Sequence, residues 1–431
     1  MKFHSTRGEA RAATLSEAIA AGLATDGGLY VPDHMPQLDV DEFAAAATLP
    51  VIAARLLAPF FAGDALSSGL DAICNEAFTF PAPMRELATP NDQVLELFHG
   101  PTAAFKDFGA RFLAASMRRI PRDMSAPLTI LVATSGDTGA AVGAAFSGLP
   151  GFRVVILYPD GRVSPRQAHQ LGCFGGNVTA LRVAGSFDDC QHMVKQAFAD
   201  SELRARAPLS SANSISLGRL LPQMAYYAYS ALAHRHGGGS PLNYVVPTGN
   251  LGNAVAGILA RACGLPIGRI VLATNANRVL PDFFGGADYA PQASVATIAN
   301  AMDVGAPSNF ERLRWLYPDS TRLRGEFRAF SVSDAWIRAT ISDRCARYGE
   351  VFCPHTATAV HVLERLRTDG EPGDWTAVAT AHPAKFGSVI EPLIARQIVV
   401  PAALAALLSR PANAEPLPAT YPALRSRLLA D

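Results

Sequence analysis

Residues 128–146 read LTILVATSGDTGAAVGAAF and pass from a β-branched apolar run, through a turn of small residues, into an alanine-rich segment. The apolar run is typical of a buried strand, and the alanine-rich segment is typical of a helix. Residues 242–264, LNYVVPTGNLGNAVAGILARACG, repeat the same order of strand, glycine-rich loop and helix. Alternating strands and helices predict mainly parallel sheets that are covered by helices on both faces. We therefore expect an α/β protein.

The same order of strand, loop and helix continues along most of the chain. Residues 216–236 have the composition of one long helix, although they contain Pro222. Ligands of parallel sheets bind at the carboxyl ends of the strands, where the loops meet. Further apolar strand candidates are VVILYPDG (154–161), VTALRVAG (178–185), RIVLATNAN (269–277) and WTAVA (375–379).

The glycine-rich break HGGGSP at residues 236–241 divides the α/β pattern into two parts. We interpret the break as a crossing of the chain between two lobes, and ligands commonly bind in the cleft between such lobes. The expected organisation is a helix-rich N-terminal extension, a small α/β lobe, a large lobe in two pieces and a C-terminal tail. These regions cover, in that order, residues 1–80, 128–236, 81–127 with 237–410, and 411–431.

The charge balance of the chain argues against a nucleic-acid-binding function. Its 431 residues include 37 basic and 37 acidic side chains, and 49% of the residues are hydrophobic. A nucleic-acid-binding protein carries a basic excess, so we expect no nucleic-acid partner. The sequence shows no sign of an obligate protein partner either. Any anionic ligand must therefore be held locally, by a few placed groups.

The six cysteines and ten histidines show neither a metal-ligand spacing nor a CxxC pair. This pattern predicts no metal site and no disulfide framework, and reduced thiols favour a cytoplasmic location. The first residues carry Glu9 and Glu17 and lack an unbroken apolar stretch, so we expect no signal peptide. The apolar stretch 43–63 is interrupted by two prolines and an arginine. It predicts core helix and no membrane span.

Residues 99–114, HGPTAAFKDFGARFLA, place Lys106 among apolar neighbours after a Gly-Pro turn. Phe105 and Phe108 flank the lysine, and Asp107 is the one opposite charge nearby in sequence. Loss of hydration lowers the pKa of a lysine, and the amine then becomes a nucleophile and a base. A solvated surface lysine is the common alternative, and the lysine alone does not distinguish the two.

Two glycine-rich loops are candidates for binding an anion. TGNLGN (248–253) follows a strand and precedes a helix, so its backbone N–H groups and the helix N-terminus suit a phosphate. The loop is not a dinucleotide fingerprint, because the GxGxxG spacing is absent. SGDTG (135–139) has the same arrangement in the other lobe. Its polar residues either bind a carboxylate or phosphate, or cap the helix that follows.

Two further loops carry polar groups at the starts of predicted helices. NSISLGRL (213–220) combines an amide, hydroxyls and Arg219, a set that suits a phosphate and that a helix cap explains in part. TAHPAKF (380–386) places Thr380 at a strand end, where a hydroxyl can hydrogen-bond a heteroaromatic nitrogen. Lys385 either neutralises a substrate anion or is a solvated lysine in a structural loop.

The combination of these features is more specific than any one of them. A lysine in a cleft, a separate phosphate-binding loop and additional anion-binding groups together indicate pyridoxal phosphate. In that arrangement the lysine forms a Schiff base with the cofactor aldehyde, and the loop holds the cofactor phosphate. The remaining groups are free for an amino-acid carboxylate and for a second phosphate.

In their order along the chain, these motifs resemble the bacterial and fungal threonine synthase family. The resemblance begins in the N-terminal region and runs to about residue 420, which is nearly the whole chain. The motifs that carry it are STRG (5–8), GLATDGGLYVP (22–32), HGPTAAFKDFG (99–109), ATSGDTGAA (133–141), NSIS (213–216), TGNLGN (248–253), NAMDVGAPSN (300–309) and TAHPAKF (380–386).

The resemblance implies a fold-type II pyridoxal-phosphate enzyme, similar to the β subunit of tryptophan synthase. Members of the family convert O-phospho-L-homoserine and water into L-threonine and phosphate. The resemblance makes Lys106 the Schiff-base lysine and later the proton shuttle, and Thr380 the partner of the pyridine nitrogen. The expected cofactor-binding residues are Lys106, Gly249, Asn250, Leu251, Gly252, Asn253 and Thr380. The expected substrate-binding residues are Ser135, Asp137, Thr138, Asn213, Ser214, Arg219 and Lys385.

The phosphate loop departs from the commoner family pattern SGNFGD at Thr248, Leu251 and Asn253, while its glycines and Asn250 remain. Ala103 replaces the leucine of the commoner HGPTLAF. One alternative function also fits these residues: a related phospho-lyase or dehydratase that releases a 2-oxo acid. A binding protein without catalysis on the same scaffold is disfavoured, because it would be expected to lose Lys106.

Overall fold

Strands of the protein form two main sheets and one short ribbon. We describe a computed structural model, which covers residues 1–45, 47–121 and 126–430. In these ranges the strands, numbered in chain order, are β1 Phe3–Ser5, β2 Tyr30–Pro32, β3 Met84–Glu86, β4 Asp92–Glu96, β5 Leu128–Ala133, β6 Phe152–Pro159, β7 Val178–Ala184, β8 Leu209–Ser211, β9 Leu242–Pro247, β10 Ile267–Thr274, β11 Arg328–Ser331, β12 Trp375–Ala379 and β13 Glu415–Pro418.

Helices connect the strands and cover both faces of the main sheets. The α-helices of the described ranges are α1 Leu15–Ala21, α2 Leu49–Leu57, α3 Leu70–Ala77, α4 Lys106–Met117, α5 Asp137–Phe146, α6 Pro165–Gly172, α7 Phe187–Ala199, α8 Ser201–Arg206, α9 Leu217–Leu220, α10 Met224–His236, α11 Gly252–Ala262, α12 Val279–Phe284, α13 Phe310–Leu316, α14 Ser320–Glu326, α15 Asp334–Tyr348, α16 Pro354–Thr368, α17 Gly387–Ile394, α18 Ala402–Leu408 and α19 Tyr421–Leu429. Short 3-10 helices add Val40–Glu42, Ala58–Phe61, Ser67–Gly69, Leu221–Gln223, Asn300–Met302 and Pro383–Phe386.

The larger sheet has six strands in the order β11-β10-β9-β12-β4-β3. All neighbours are parallel except β3, which pairs antiparallel with β4 at the edge. Every residue of β9 and β12 is buried, because α16 packs on one face of these strands and the helices α10 and α11 lie near the other. The expected alternation of strands and helices with continuous apolar strands is therefore present.

The smaller sheet has five parallel strands in the order β13-β7-β6-β5-β8. Its edge strand β13 lies within residues 411–431, the part of the chain that we expected to form a C-terminal tail. Glu415–Pro418 pairs with β7, and α19 packs on α7 and α8. The four residues EPLP do not predict a strand, because proline has no N–H group to donate to a neighbouring strand. At the edge of a sheet the backbone groups that face away from the neighbouring strand need no partner, so an edge strand tolerates proline.

The expected long helix over residues 216–236 is divided at Pro222. The structure has the short helix α9, a 3-10 turn at Leu221–Gln223 and then the longer helix α10. Proline removes a backbone donor and clashes with the preceding turn, so the α-helix is interrupted there. We expected α10 in the small lobe, but it packs against α2 of the N-terminal extension and α11 of the larger sheet.

The N-terminal extension packs on the larger lobe through apolar helices. Its ribbon of β1 and β2 is antiparallel, and α2 and α3 contribute buried leucine and isoleucine side chains to the main core. The described helices include none with the length and apolar character needed to cross a lipid bilayer. The residues that the structure describes contain no group of three or more His, Cys, Asp and Glu side chains placed to hold a metal ion.

The start of α5 approaches the smaller sheet closely because Gly139 has no side chain. A Cβ atom at this position would lie 2.6 Å from Ile156 Cγ2, 2.6 Å from Leu171 Cδ2 and 2.7 Å from Thr134 Cγ2. Carbon atoms in protein cores do not approach so closely. The glycine of SGDTG therefore has a packing role besides any role in binding.

We predict that Gly139→Ala destabilises the protein although alanine is the better helix former. Overpacking of this kind costs about 1–3 kcal/mol. The matched control is Gly325→Ala in α14, where an added Cβ meets nothing within 4 Å. This control is expected to be neutral or to stabilise by up to about 1 kcal/mol. Thermal unfolding midpoints of both variants test the prediction, and equal midpoints would contradict it.

Candidate active site

Three of the predicted loops meet at the carboxyl edge of the larger sheet. The chain leaves β4 toward Lys106, leaves β9 into residues 248–251, and leaves β12 into residues 380–386. Because β12 lies between β4 and β9 and all three strands are parallel, their carboxyl ends are neighbours. The sheet order thus brings the lysine, the glycine-rich loop and Thr380 to one place.

Backbone hydrogen bonds join the Lys106 loop to the loop after β12. The Phe105 N–H donates to the Thr380 carbonyl at 2.8 Å, and the His382 N–H donates to the Ala103 carbonyl at 3.0 Å. Ala103 has a positive φ of 56° and packs with the buried Ala384. These contacts fix Lys106, the first residue of α4, beside Thr380.

Lys106 is partly exposed, and the loss of hydration around its amine lowers the pKa of that amine to about 8. The carboxylate of Asp137 acts in the opposite direction, while the cations of Arg219 and Lys385 lower the pKa further. The amine also lies 5.8 Å from the centre of the Phe105 ring. The expected desolvated lysine is therefore present, and near neutral pH an appreciable fraction of it is the free base.

Asp107 has a different role from the one that its place in the sequence indicates. In the sequence it is the opposite charge nearest to Lys106. Instead its carboxylate accepts hydrogen bonds from the Thr102 hydroxyl at 2.7 Å and the Thr102 N–H at 2.9 Å. Burial raises the pKa of Asp107 to about 6. Asp107 closes the turn before Lys106, and the carboxylate that acts on the lysine is Asp137, from the other lobe.

The two glycines of TGNLGN are required for different reasons. A Cβ on Gly249 would lie 2.7 Å from the Met302 Cα atom, so packing against the backbone demands glycine there. A Cβ on Gly252 would make only ordinary contacts, the nearest at 3.5 Å. Between them Leu251 has a left-handed φ of 63° and precedes the first turn of α11. The protein's own packing therefore does not explain why residue 252 is glycine.

The two asparagines of the same loop are held by groups from other segments. Asn250 donates through Nδ2 to the Ser214 hydroxyl at 2.7 Å. Asn253 accepts through Oδ1 from the phenols of Tyr226 at 2.6 Å and Tyr227 at 2.9 Å. This fixes the amide of Asn253, and its buried Nδ2 atom has no partner in the described structure.

Several other buried polar atoms around these loops have no protein partner in the described residues. A buried donor or acceptor without a partner costs free energy, so such atoms in a cluster indicate a polar ligand. Amide donors beside a helix N-terminus and a glycine that packing does not require suit a phosphate group. The site therefore fits a phosphate-bearing cofactor. The unpartnered atoms are Asn213 Oδ1, Ser216 Oγ, Arg219 Nε, Asn253 Nδ2 and Asn300 Oδ1.

The smaller sheet brings its two predicted loops to the same cleft. Strands β5 and β8 are parallel neighbours, and the loops SGDTG and NSIS follow them. Ser135, Thr138, Asn213 and Ser214 are partly exposed, so their polar groups remain available. Asn300 from the larger lobe reaches the small lobe through Nδ2, which donates to the Ser135 carbonyl at 3.4 Å.

Arg219 is fully buried and lies against the helix of Lys106. Its guanidinium donates to the Ala212 carbonyl at 2.5 Å, and a Cβ on Gly109 would lie 2.9 Å from its Nε atom. Burial lowers the pKa of Arg219 to about 10. Arg219 therefore lies against α4 at Gly109, one helical turn after Lys106.

Lys385 and Asp137, both predicted to bind substrate, are paired with each other. The Lys385 ammonium lies 2.8 Å from Asp137 Oδ1 and donates to the Thr102 carbonyl at 2.7 Å. Lys385 has no exposed surface, so the alternative of a solvated lysine is wrong. The pKa of Asp137 is lowered because the cations of Lys385 and Lys106 outweigh its burial.

The sequence analysis missed two residues that support the site. Gln167 is fully buried and donates to Asp137 Oδ1 at 2.9 Å, and in sequence only its helix-capping position after Ser164 is readable. Arg312 is buried and donates to Asn309 Oδ1 at 2.7 Å and to the Ile215 carbonyl at 2.6 Å. An arginine on an amphipathic helix reads as a surface residue, so no signal pointed to it.

The chain matches known proteins along nearly all of its length. The family described as "Pyridoxal-phosphate dependent enzyme" matches residues 94–383, "Threonine synthase N terminus" matches residues 2–78, and "Threonine synthase, C-terminal" matches residues 356–427. Threonine synthase of Serratia marcescens is 38% identical over 431 residues, covering 100% of this chain and 99% of the relative.

Solved structures show the same relationship. The crystal structure of threonine synthase from Escherichia coli superposes with a TM-score of 0.92 at 38% identity, covering 100% of both chains. The structure of PLP-bound threonine synthase from Brucella melitensis has a TM-score of 0.90 at 34% identity, covering 100% of this chain and 99% of that one. The expected fold-type II architecture is thereby confirmed.

We predict that Gly252→Ala leaves the fold intact but weakens cofactor binding. The new methyl group has room among the protein atoms, and it would occupy the space through which a phosphate approaches the backbone. Loss of charge-assisted hydrogen bonds there is expected to raise the dissociation constant of pyridoxal phosphate by about tenfold to hundredfold. Absorbance titration of cofactor-free protein measures it.

Gly249→Ala is the matched comparison, and it is expected to lower the thermal unfolding midpoint because of the contact with Met302. Gly252→Asp is expected to bind the cofactor still less well than Gly252→Ala, since its carboxylate repels the phosphate. Unchanged affinity in both Gly252 variants would argue against TGNLGN as the phosphate loop.

Proposed function

The chain belongs to the threonine synthase family and is a pyridoxal-phosphate-dependent enzyme; from this we propose that it converts O-phospho-L-homoserine and water into L-threonine and phosphate. The observation that carries the proposal is the desolvated Lys106 at the same sheet edge as the glycine-rich loop TGNLGN, whose Gly252 is not required by the protein's own packing. Binding one phosphate at TGNLGN leaves the loops of the smaller sheet for a substrate with its own anionic groups.

Lys106 is proposed to hold the cofactor covalently and, when released by substrate, to move protons. When bound, pyridoxal phosphate withdraws electrons from the substrate carbons near the amine, so that their protons become acidic. A base that collects such protons near neutral pH needs a pKa close to that pH. Burial brings the pKa of Lys106 to about 8, far closer to neutral than that of a solvated lysine.

The cofactor itself is proposed to rest on groups from two loops of the larger sheet. Residues 249–253 offer backbone N–H groups, the unpartnered amide of Asn253 and the N-terminus of α11 to its phosphate. Thr380, buried at the end of β12, offers a neutral hydroxyl to the pyridine nitrogen. A neutral partner does not force a proton onto that nitrogen.

The substrate is proposed to bind through the loops of the smaller sheet. Ser135 and Thr138 lie at the start of α5, and Asn213 and Ser214 lie after β8. Buried Arg219 adds a positive charge, and among the described residues it has no carboxylate within ion-pair distance. A carboxylate and a phosphate of the substrate would offset that charge, because buried cations without partners are costly.

The alternative of a phospho-lyase or dehydratase differs in its product. Both reactions begin with loss of the substrate proton, so residues near Lys106 do not separate them. Threonine with phosphate supports the proposed reaction, whereas 2-oxobutanoate with ammonia supports the alternative. A steady-state assay with O-phospho-L-homoserine that follows phosphate, threonine and 2-oxo acid together tests the proposal. A cytoplasmic location, resting on the cysteine pattern, also belongs to the proposal.

We predict that borohydride reduction of the cofactor-loaded enzyme attaches the cofactor to Lys106. The chain has four lysines, Lys2, Lys106, Lys195 and Lys385, so peptide mapping assigns the site directly. Lys106→Ala is expected to keep the fold, because the partly exposed lysine side chain contributes little to packing. It should abolish turnover, while Lys195→Ala, at an exposed position, should not. Label on another lysine would refute the assignment.

A further inference from the structure

The Lys385 ammonium bridges the two lobes and is already neutralised within the protein. It contacts the carbonyl of Thr102, which precedes Lys106 in the larger lobe, and the carboxylate of Asp137, which begins α5 in the smaller lobe. Both distances, 2.7 Å and 2.8 Å, are those of strong hydrogen bonds. A buried lysine with these two partners is not a free cation for a ligand.

The Asp137 carboxylate is held just as firmly from its own lobe. The amide of Gln167 donates to its Oδ1 atom at 2.9 Å. The other end of that amide accepts from the Ser164 N–H at 3.0 Å and from Asn300 Nδ2 at 3.1 Å. A Cβ on Gly136 would lie 2.6 Å from Gln167 Nε2, so Gly136 allows this close approach. The carboxylate therefore has a fixed place and a fixed partner.

Helix α6 of the smaller lobe and its N-cap also form hydrogen bonds with the segment that carries Lys385. The Ser164 hydroxyl donates to the Lys385 carbonyl at 2.8 Å, and Arg166 donates to the Ala384 carbonyl. Gln170 donates to the Thr102 carbonyl at 3.2 Å, beside the Lys385 ammonium. Four segments thus meet around one ion pair: residues 102–107, 135–139, 164–170 and 383–386.

We propose that Lys385 and Asp137 are a pair of positioning residues that hold the Lys106 loop and the SGDTG loop in fixed register across the cleft. The proposal rests on the proposed function, since those two loops are the ones assigned to the cofactor lysine and to the substrate. Lys385 acts through Asp137 and Thr102, and it does not bind the substrate phosphate. Withdrawal of Lys385 toward a substrate would leave the Asp137 carboxylate buried without its cation, which is strongly unfavourable.

The pair also sets the charge that Lys106 meets. Asp137 raises the pKa of Lys106, whereas Lys385 and Arg219 lower it. His355 is buried nearby, and its pKa is lowered to about 4, so it is neutral at neutral pH. Neutralising one member of the pair therefore changes the charge balance at Lys106 in one direction, and neutralising the other changes it in the opposite direction.

The test is a double-mutant cycle on the cofactor-loaded enzyme. The variants are Lys385→Met, Asp137→Asn and the two together, with Lys195→Met as an exposed control. Each single variant is expected to lower the thermal unfolding midpoint and to lower kcat at least tenfold, with KM for O-phospho-L-homoserine changed less than about threefold. The double variant is expected to lose less than the product of the single losses, because the two residues interact directly.

The pH dependence of kcat is the readout that a merely structural role would not move. Activity needs the free amine of Lys106, so its pKa appears as the acid limb of the profile. Lys385→Met removes a cation and should move that limb to higher pH by roughly one unit, while Asp137→Asn should move it to lower pH. In the double variant the limb should lie near that of the unaltered enzyme. Shifts in the same direction would overturn the proposal.

Inhibition by inorganic phosphate separates the pair from a substrate-binding lysine. If Lys385 instead binds the substrate phosphate, Lys385→Met raises both the inhibition constant of phosphate and KM at least tenfold, and Asp137→Asn raises neither. In that case the loss of kcat/KM in the double variant equals the product of the losses in the two single variants. That result overturns the proposal. If a single variant does not fold, a folded double variant supports the pair, and a double variant that also fails to fold counts against it.

These measurements keep failure of the pair distinct from failure of the proposed function. Release of a 2-oxo acid by the unaltered enzyme overturns the proposed product but leaves the cycle in kcat and the phosphate inhibition as tests of the pair. If the enzyme does not turn over this substrate, the cycle in unfolding midpoints decides: midpoint losses that add overturn the pair, and losses that do not add support it.

Discussion

Removing lysine ammonium groups from water is the constraint around which the centre of this protein is arranged. Lys385 is fully buried and Lys106 is partly exposed but largely desolvated, and the protein has to offset the cost of their lost hydration. It does so with one carboxylate, Asp137, and with backbone carbonyls that only a particular folding of several loops can supply. The order of the strands, the crossing between lobes and the glycines at the cleft all serve to bring those acceptors together.

The same centre depends on the N-terminal extension, which is far from it in sequence. Arg312 donates to the Tyr30 carbonyl in β2, to the Ile215 carbonyl and to Asn309. Asn309 in turn donates to the Asn250 carbonyl at 2.9 Å in the phosphate loop. A buried guanidinium with only neutral acceptors among the described residues ties three regions into one network. The extension is therefore part of the scaffold of the site.

The sequence allowed the buried strands and the glycine-rich loops to be predicted, because apolar runs and small-residue turns are local signals. TGNLGN and SGDTG lie where parallel strands end, as expected. Pairings between distant residues carried no local signal. Asp107 is the opposite charge nearest to Lys106 in sequence, yet its carboxylate accepts a hydrogen bond from Thr102, and the carboxylate that acts on the lysine is Asp137. Strand β13 was not predicted for a related reason. Its pairing with β7 forms only in the folded sheet, and its own four residues carry no strand signal.

The position of β13 and β12 in the chain has a consequence for how the protein is made. Both sheets receive a strand from the last sixty or so residues: β12 enters the middle of the larger sheet, and β13 covers the edge of the smaller one. A nascent chain emerging from the ribosome therefore carries an incomplete larger sheet and an open edge at β7 until β12 and β13 have been synthesised. Exposed strand edges are templates for wrong pairing. Until those two strands emerge, the edge of β7 and the incomplete larger sheet are surfaces that a chaperone can protect from wrong pairing.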